Sequence, residues 1–210
     1  MSGLMSLLWE RSIEGYEISE VGNNMTIKPR GLRTEKYDPF RIGSDGNVLF
    51  QKFVNLIPPD TNSDKPDKEL WLSFANNFGL LFTAGDEEDW HEWNCEIEHL
   101  QLAVDMWRNN ELKDVVESFR TRRNNYGSVS VNLEFRPGIE RPTLRFSPPN
   151  LLEALWIQFA ESVATDRQIK FCKFCNDPFE FGAGTGRRST AIYCSTKCQK
   201  QDSYNKRKES

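Results

Sequence analysis

Residues 171 to 200 read FCKFCNDPFEFGAGTGRRSTAIYCSTKCQK and hold four of the chain's five cysteines. They come as two close pairs: Cys172 and Cys175 with two residues between them, then eighteen residues, then Cys194 and Cys198 with three between them. Two intervening residues let a tight knuckle aim both sulfurs at one point, where backbone N–H groups stabilise the thiolates. At the far end AIYC reads as a strand running into a helix, with Cys194 at the helix start. Cys198, four residues on, then projects from the same side. The four sulfurs fill a tetrahedral shell and leave no position for water, so the expected cofactor is one structural zinc ion and not a catalytic one. Two spaced pairs outside a thioredoxin-like strand context favour metal over a disulfide, a redox dithiol or free thiols.

Four thiolates around a divalent ion carry a net charge of −2, and Lys173, Arg187, Arg188 and Lys197 stand close enough in sequence to offset it. A segment of about forty residues is too small to fold on apolar burial alone, whereas structural zinc supplies about 10–16 kcal/mol. The expected boundary therefore separates a body, 1–166, from a finger, 167–210. Charge follows the same division. The body carries 17 Lys and Arg against 27 Asp and Glu, and the finger 10 against 4. The two parts should meet different partners.

Beyond the last cysteine, QKQDSYNKRKES continues as a basic helix. The candidate nucleic-acid contacts are Arg187, Arg188, Lys197, Lys200, Lys206, Arg207 and Lys208, with Tyr204 placed to stack on a base. If about five cations met phosphates, log affinity for duplex DNA would fall with log salt at a slope of about −4 to −5. A solvated basic terminus, or a finger that docks on protein, stays open beside that reading. FGAGTGRR is not a phosphate loop, because no helix start and no Lys-Ser/Thr follow it; it is expected to be a turn joining two finger strands.

In the body, the stripe Trp90, Trp93, Ile97, Leu100, Val104 and Trp107 predicts a long helix with Asp86, Glu87, Glu88 and Asp89 at its positive end. Other expected helices cover NVLFQKFVNLI, ended by Pro58 and Pro59, then ELWLSFANNFGLLF, and ELKDVVESFRTRR after Asn109 and Asn110. SPPNLLEALWIQFAESVATD is expected to be capped by Ser147, with Pro148 at its first position and Glu153 and Glu161 facing solvent. YEISEV with MTIKP, and SVSVNLEF with PTLRF, read as hairpins. The fold class is α+β: a mostly helical body with short hairpins, then a small treble-clef-like finger with a C-terminal basic helix.

His91, Cys95 and His99 lie four apart, but successive steps rise about 6 Å along a helix, so all three cannot reach one ion. No Ser-His-Asp set or nucleotide fingerprint stands out, so an enzyme is not the favoured class. The aromatic-rich body is a candidate binder of a small molecule or protein. The start MSGLMSLLWERS lacks a signal-peptide pattern and no stretch approaches a membrane span, so a cytoplasmic protein without a membrane partner is expected.

The segment CKFCNDPFEFGAGTGRRSTAIYCSTKC resembles the C-terminal zinc finger of bacterial proteins with the pattern C-x2-C, an aromatic as at Phe179, a glycine-rich turn ending in Arg-Arg, then Tyr/Phe-Cys-Ser-x2-Cys and a basic helix. It is similar to the CGNR fingers that follow ABATE domains, and LLEALWIQFA and FANNFGLL are similar to upstream segments of such proteins. The resemblance implies zinc ligation by Cys172, Cys175, Cys194 and Cys198, with nucleic-acid binding and a regulatory or ligand-sensing body. QKQDSYNKRK stands here in place of the Gly-Asn-Arg that names the family's finger.

Overall fold

The computed structural model describes residues 9–22, 24–38, 49–57, 67–83, 85–123, 130–134, 143–165, 168–175, 178–182 and 186–209. It is a mixed helix and sheet structure with short antiparallel sheets. Strands β1 (Trp9–Ser12) and β4 (Thr34–Tyr37) pair with each other, and β2 (Tyr16–Val21) pairs with β3 (Asn24–Pro29) in the hairpin expected of YEISEV and MTIKP. Helix α1 (Leu49–Val54) is shorter than expected and buries Leu49, Phe50, Gln51, Phe53 and Val54. Val48, Pro58 and Pro59 lie outside the described residues.

Helix α2 (Lys68–Phe78) starts at Asp67, whose carboxylate accepts the N–H groups of Glu69 and Leu70. It stops at Gly79, at φ 80°, where a Cβ would meet the Glu10 carbonyl oxygen at 2.8 Å. Residues 79–82 are therefore not the end of the helix, which corrects the expectation for GLLF. Leu80 and Leu81 are fully buried in irregular backbone. Buried backbone polar groups need partners, and side chains supply several here. Trp9 Nε1 donates to the Leu80 carbonyl at 2.9 Å, the Leu152 N–H donates to the Leu81 carbonyl at 3.2 Å, and the Glu88 carboxylate accepts three N–H groups from residues 81–83.

Strand β5 (Glu88–Asp89) joins β3 and runs straight into α3 (Trp90–Arg108). Asp89 caps α3 by accepting the His91 N–H at 2.6 Å, and Glu87 accepts the Thr26 hydroxyl. Glu88 departs from the expected dipole role, being 3% exposed and committed to residues 81–83 and Trp93. The α3 stripe holds: Trp90, Trp93, Ile97, Leu100 and Val104 are buried, and Trp107 packs against the same core. Trp71 meets Trp90 and Trp93 edge-on at 5.0 and 5.5 Å between ring centroids, and Phe53 and Phe74 complete the group.

Asn110, at φ 64°, turns the chain into α4 (Leu112–Arg123). Strands β6 (Ser130–Glu134) and β7 (Thr143–Ser147) form the second hairpin, and its expected turn lies outside the described residues. Ser147 belongs to β7, so it is not the cap of α5 (Leu151–Ala164). Asn150 is, accepting the Glu153 N–H at 2.8 Å. Pro149 holds Pro148 out of the helical region, which moves the start beyond both prolines. Glu153 is buried rather than solvent-facing, because α5 is enclosed along its whole first half.

Burial raises the hydroxyl pKa of Tyr16 and of Tyr37, and Tyr37 donates to the Phe78 carbonyl. Above about pH 10 the unfolded chain ionises both phenols while the folded chain keeps their protons. Their stabilisation is full below that pH and falls as pH rises, by up to about 1.4 kcal/mol per pH unit for each group. Urea titrations at rising alkaline pH should show this decline, and Tyr37→Phe should make it shallower. An unchanged slope in the variant would remove Tyr37 from the account.

Candidate metal centre

Strands β8 (Gln168–Phe171) and β9 (Pro178–Phe181) form an antiparallel hairpin whose last pair is Phe171 with Pro178. Cys172 and Cys175 sit in the turn between them, so the sheet register places the first two sulfurs. β9 also approaches α1. After β9 the glycine loop is closed by a bridge from Gly182 to Arg187, with the Gly182 N–H donating to the Arg187 carbonyl at 3.2 Å. Gly182 and Gly186, at φ 104° and 70°, occupy backbone that glycine adopts without strain. The loop thus links β9 to a bridge residue, and no second strand follows among the described residues. Residues 191–194 are not a strand either. One backbone–backbone bond, from the Lys173 N–H to the Ile192 carbonyl at 2.9 Å, ties them to the knuckle, too little for a ladder.

Helix α6 (Thr196–Glu209) begins one residue after Ser195, whose hydroxyl accepts the Cys198 N–H at 3.2 Å as a cap. Cys194 therefore precedes the helix, and Cys198 lies in its first turn. Tyr193 donates its hydroxyl to Asp202 at 2.7 Å, and Lys206 pairs with the same carboxylate. Lys206 and then Tyr193 hold the Asp202 carboxyl below the usual range. This network fixes α6 against the loop that carries Cys194.

The ligating atoms of Cys172, Cys175, Cys194 and Cys198 all lie within 4.8 Å of one another, an arrangement that can hold a metal ion. The Cys175 and Cys194 sulfurs are 3.5 Å apart, those of Cys194 and Cys198 3.4 Å, and those of Cys175 and Cys198 3.8 Å. Burial pushes the Cys172 thiol up, but backbone N–H groups of Cys175, Cys194 and Phe174 outweigh it and bring the group down to about 6. Burial, then the Cys198 sulfur, push Cys194 up to about 11. Among the described residues, Phe179 and Phe181 are the other buried apolar residues around the sulfurs, and this small cluster shares no member with the core of the body. Lys170 lies over the Phe181 ring at 4.1 Å and Arg187 over Phe179 at 5.4 Å, bringing positive charge to the cluster. Lys170 was not among the expected compensators, although its place two residues before Cys172 was visible in the sequence.

The expected nucleic-acid contacts are not all placed alike. Lys197, Lys200, Tyr204, Arg207 and Lys208 are exposed on α6, and Arg188 is exposed before it. Arg187 is half-buried over Phe179, Lys206 is engaged with Asp202, and Lys208 lies 4.9 Å from the Tyr204 ring centroid. Asp202, absent from the expected set, stands four residues after Cys198, the spacing that puts two side chains on one helix face. His91, Cys95 and His99 are exposed on α3, and among the described residues only the four finger cysteines gather as a candidate metal group. No helix among the described residues is long and apolar enough to cross a membrane.

No protein-family model matches the chain, and no curated protein matches it.

Proposed function

We propose that the chain is a zinc-binding protein whose C-terminal finger, 167–210, grips nucleic acid, while the body, 1–166, binds a small molecule or a protein partner. Zinc suits four thiolates: bonds of about 2.3 Å in a tetrahedron put the sulfurs about 3.8 Å apart, near the 3.4 to 3.8 Å separations among the sulfurs of Cys175, Cys194 and Cys198. A knuckle in a hairpin turn followed by a ligand in the first turn of a helix is the layout expected of a treble-clef-like finger. The proposed kinship with CGNR-like fingers rests on that layout and on the Arg187-Arg188 and Tyr193-Cys194-Ser195 motifs. In this reading the ion sets the angle between knuckle and helix and performs no chemistry on a substrate.

The observation that carries the nucleic-acid reading is the exposed cationic side of α6. Phosphate contacts position a protein without specifying sequence, so weak base preference is expected of a single finger. Titration of labelled nucleic acid at rising salt tests the reading. With four α6 cations engaged, the log-log slope should be about −3.6 on duplex DNA. Binding that is absent, or indifferent to salt, would sink it. A protein-docking finger is favoured instead by Phe174 and Ile192, both exposed beside the Lys173–Ile192 bond; that alternative predicts bound zinc with no nucleic-acid affinity.

A further inference from the structure

We infer that the partner of α6 is B-form duplex DNA entered at the major groove, with the face of Lys197, Lys200, Tyr204, Arg207 and Lys208 turned inward. This rests on the nucleic-acid reading above and narrows it to one form of nucleic acid and one helix face. Lys197, Lys200, Tyr204 and Arg207 recur at steps of three and four, and Lys208 follows four residues after Tyr204, so the five share a single face. Cys198 and Asp202, the half-buried positions of the helix, lie on the opposite side, against the sulfur cluster and Tyr193. Every other side chain from 196 to 208 is exposed, so α6 stands out as a ridge attached along one face.

Shape then decides between partners. An α-helix is about 10–12 Å across with its side chains, and the major groove of B-form DNA, about 12 Å wide, admits it. The A-form major groove is deep and narrow and excludes side chains, which disfavours duplex RNA. Single-strand binders track the backbone in a positively charged groove lined with aromatic platforms. Here the surface is a convex ridge, and Lys208 already covers one face of the Tyr204 ring. From Lys197 to Lys208 the stripe is about 16 Å long, enough for its terminal cations to reach phosphates on both sides of a groove. Tyr204, in the middle and 54% exposed, is left to meet base edges.

The experiment uses the full zinc-loaded chain and measures fluorescence anisotropy against a short duplex DNA, a duplex RNA of the same sequence and the separated DNA strands. The expected result is duplex DNA bound about tenfold or more tighter than either competitor at physiological salt. Lys200→Ala combined with Arg207→Ala should make the salt slope shallower by about 1.8. Tyr204→Ala should weaken duplex binding several-fold without changing the slope, a split that loss of a phosphate contact would not give. Lys36→Ala, which removes the same charge from β4, should change nothing. Equal affinity for RNA or single strands would overturn the B-form assignment while leaving nucleic-acid binding intact. Duplex binding untouched by the α6 variants would place the contact elsewhere and overturn it too. No binding to any of the three would remove both readings.

Discussion

Cys172→Ser is expected to abolish stoichiometric zinc binding and to unfold residues 168–209 while the tryptophan core of the body stays folded. Among the described residues the finger's apolar cluster has Phe179, Phe181, Cys172 and Cys194 buried, with Ala191, Tyr193 and Cys198 packed against them, so little holds it once a ligand is lost. A structural zinc site supplies about 10–16 kcal/mol in a peptide of this size, more than two phenylalanines provide at about 1.5–3 kcal/mol each. Cys172 is the most damaging single choice, because the residue is 2% exposed and its sulfur collects N–H groups from both halves of the finger.

The two parts can be read separately, since all six tryptophans precede residue 157 and the finger has none. Trp fluorescence should therefore report an unchanged thermal transition in the variant, while far-UV helix signal falls by about the content of α6 and proteases cut within the finger. A chelator applied to the parent chain should give the same pattern, reversed by added zinc. A variant that still holds one equivalent of zinc tightly would refute the four-sulfur site. A tryptophan transition that drops together with the finger would instead show that the contact between β9 and α1 makes the two parts one cooperative unit.

The gathering of the four cysteines was legible because its information is local: two spacings decide which sulfurs can come together, whatever the intervening chain does. The α3 helix was legible for a similar reason, since five of its six stripe residues are buried and the sixth packs beside them. Where irregular backbone is buried, the sequence is ambiguous. Gly79-Leu80-Leu81-Phe82 has the apolar content of a helix end, and periodicity cannot tell that from a buried coil. The φ 80° glycine that ends α2 was the available stop signal. Ser147 and Asn150 both fit a helix cap by composition, and only the pairing of Ser147 with Ser130 in the hairpin separates them. The inner and outer sides of α6 could have been read from Cys198 and Asp202, whereas the stacking of Arg187 on Phe179 depends on how the glycine loop closes.

Glu88→Gln should cost about 3–5 kcal/mol of folding free energy, although it alters one atom of a side chain outside the cysteine cluster. One carboxylate oxygen accepts the Leu81 N–H at 2.8 Å and Trp93 Nε1 at 2.7 Å; the other accepts the N–H groups of Phe82 and Thr83 at 2.7 and 2.8 Å. Burial raises the Glu88 carboxyl and these four donors pull it part of the way back. A glutamine keeps one acceptor oxygen and turns its NH2 toward two N–H groups that have no water to replace it. The loss falls where the end of α2, the start of α3 and the segment bonded to α5 are tied together, so it should appear as a lower urea midpoint for the whole body with little change in slope. Trp93 fluorescence should shift as its indole N–H loses its acceptor. Glu87→Gln, one residue away and exposed, should stay within about 0.5 kcal/mol of the parent. If Glu88→Gln also fell within about 1 kcal/mol, the carboxylate would not be what holds residues 81–83 in place, and the stability of that buried irregular segment would have to come from the packing of Leu80 and Leu81 and the bonds from Trp9 and Leu152.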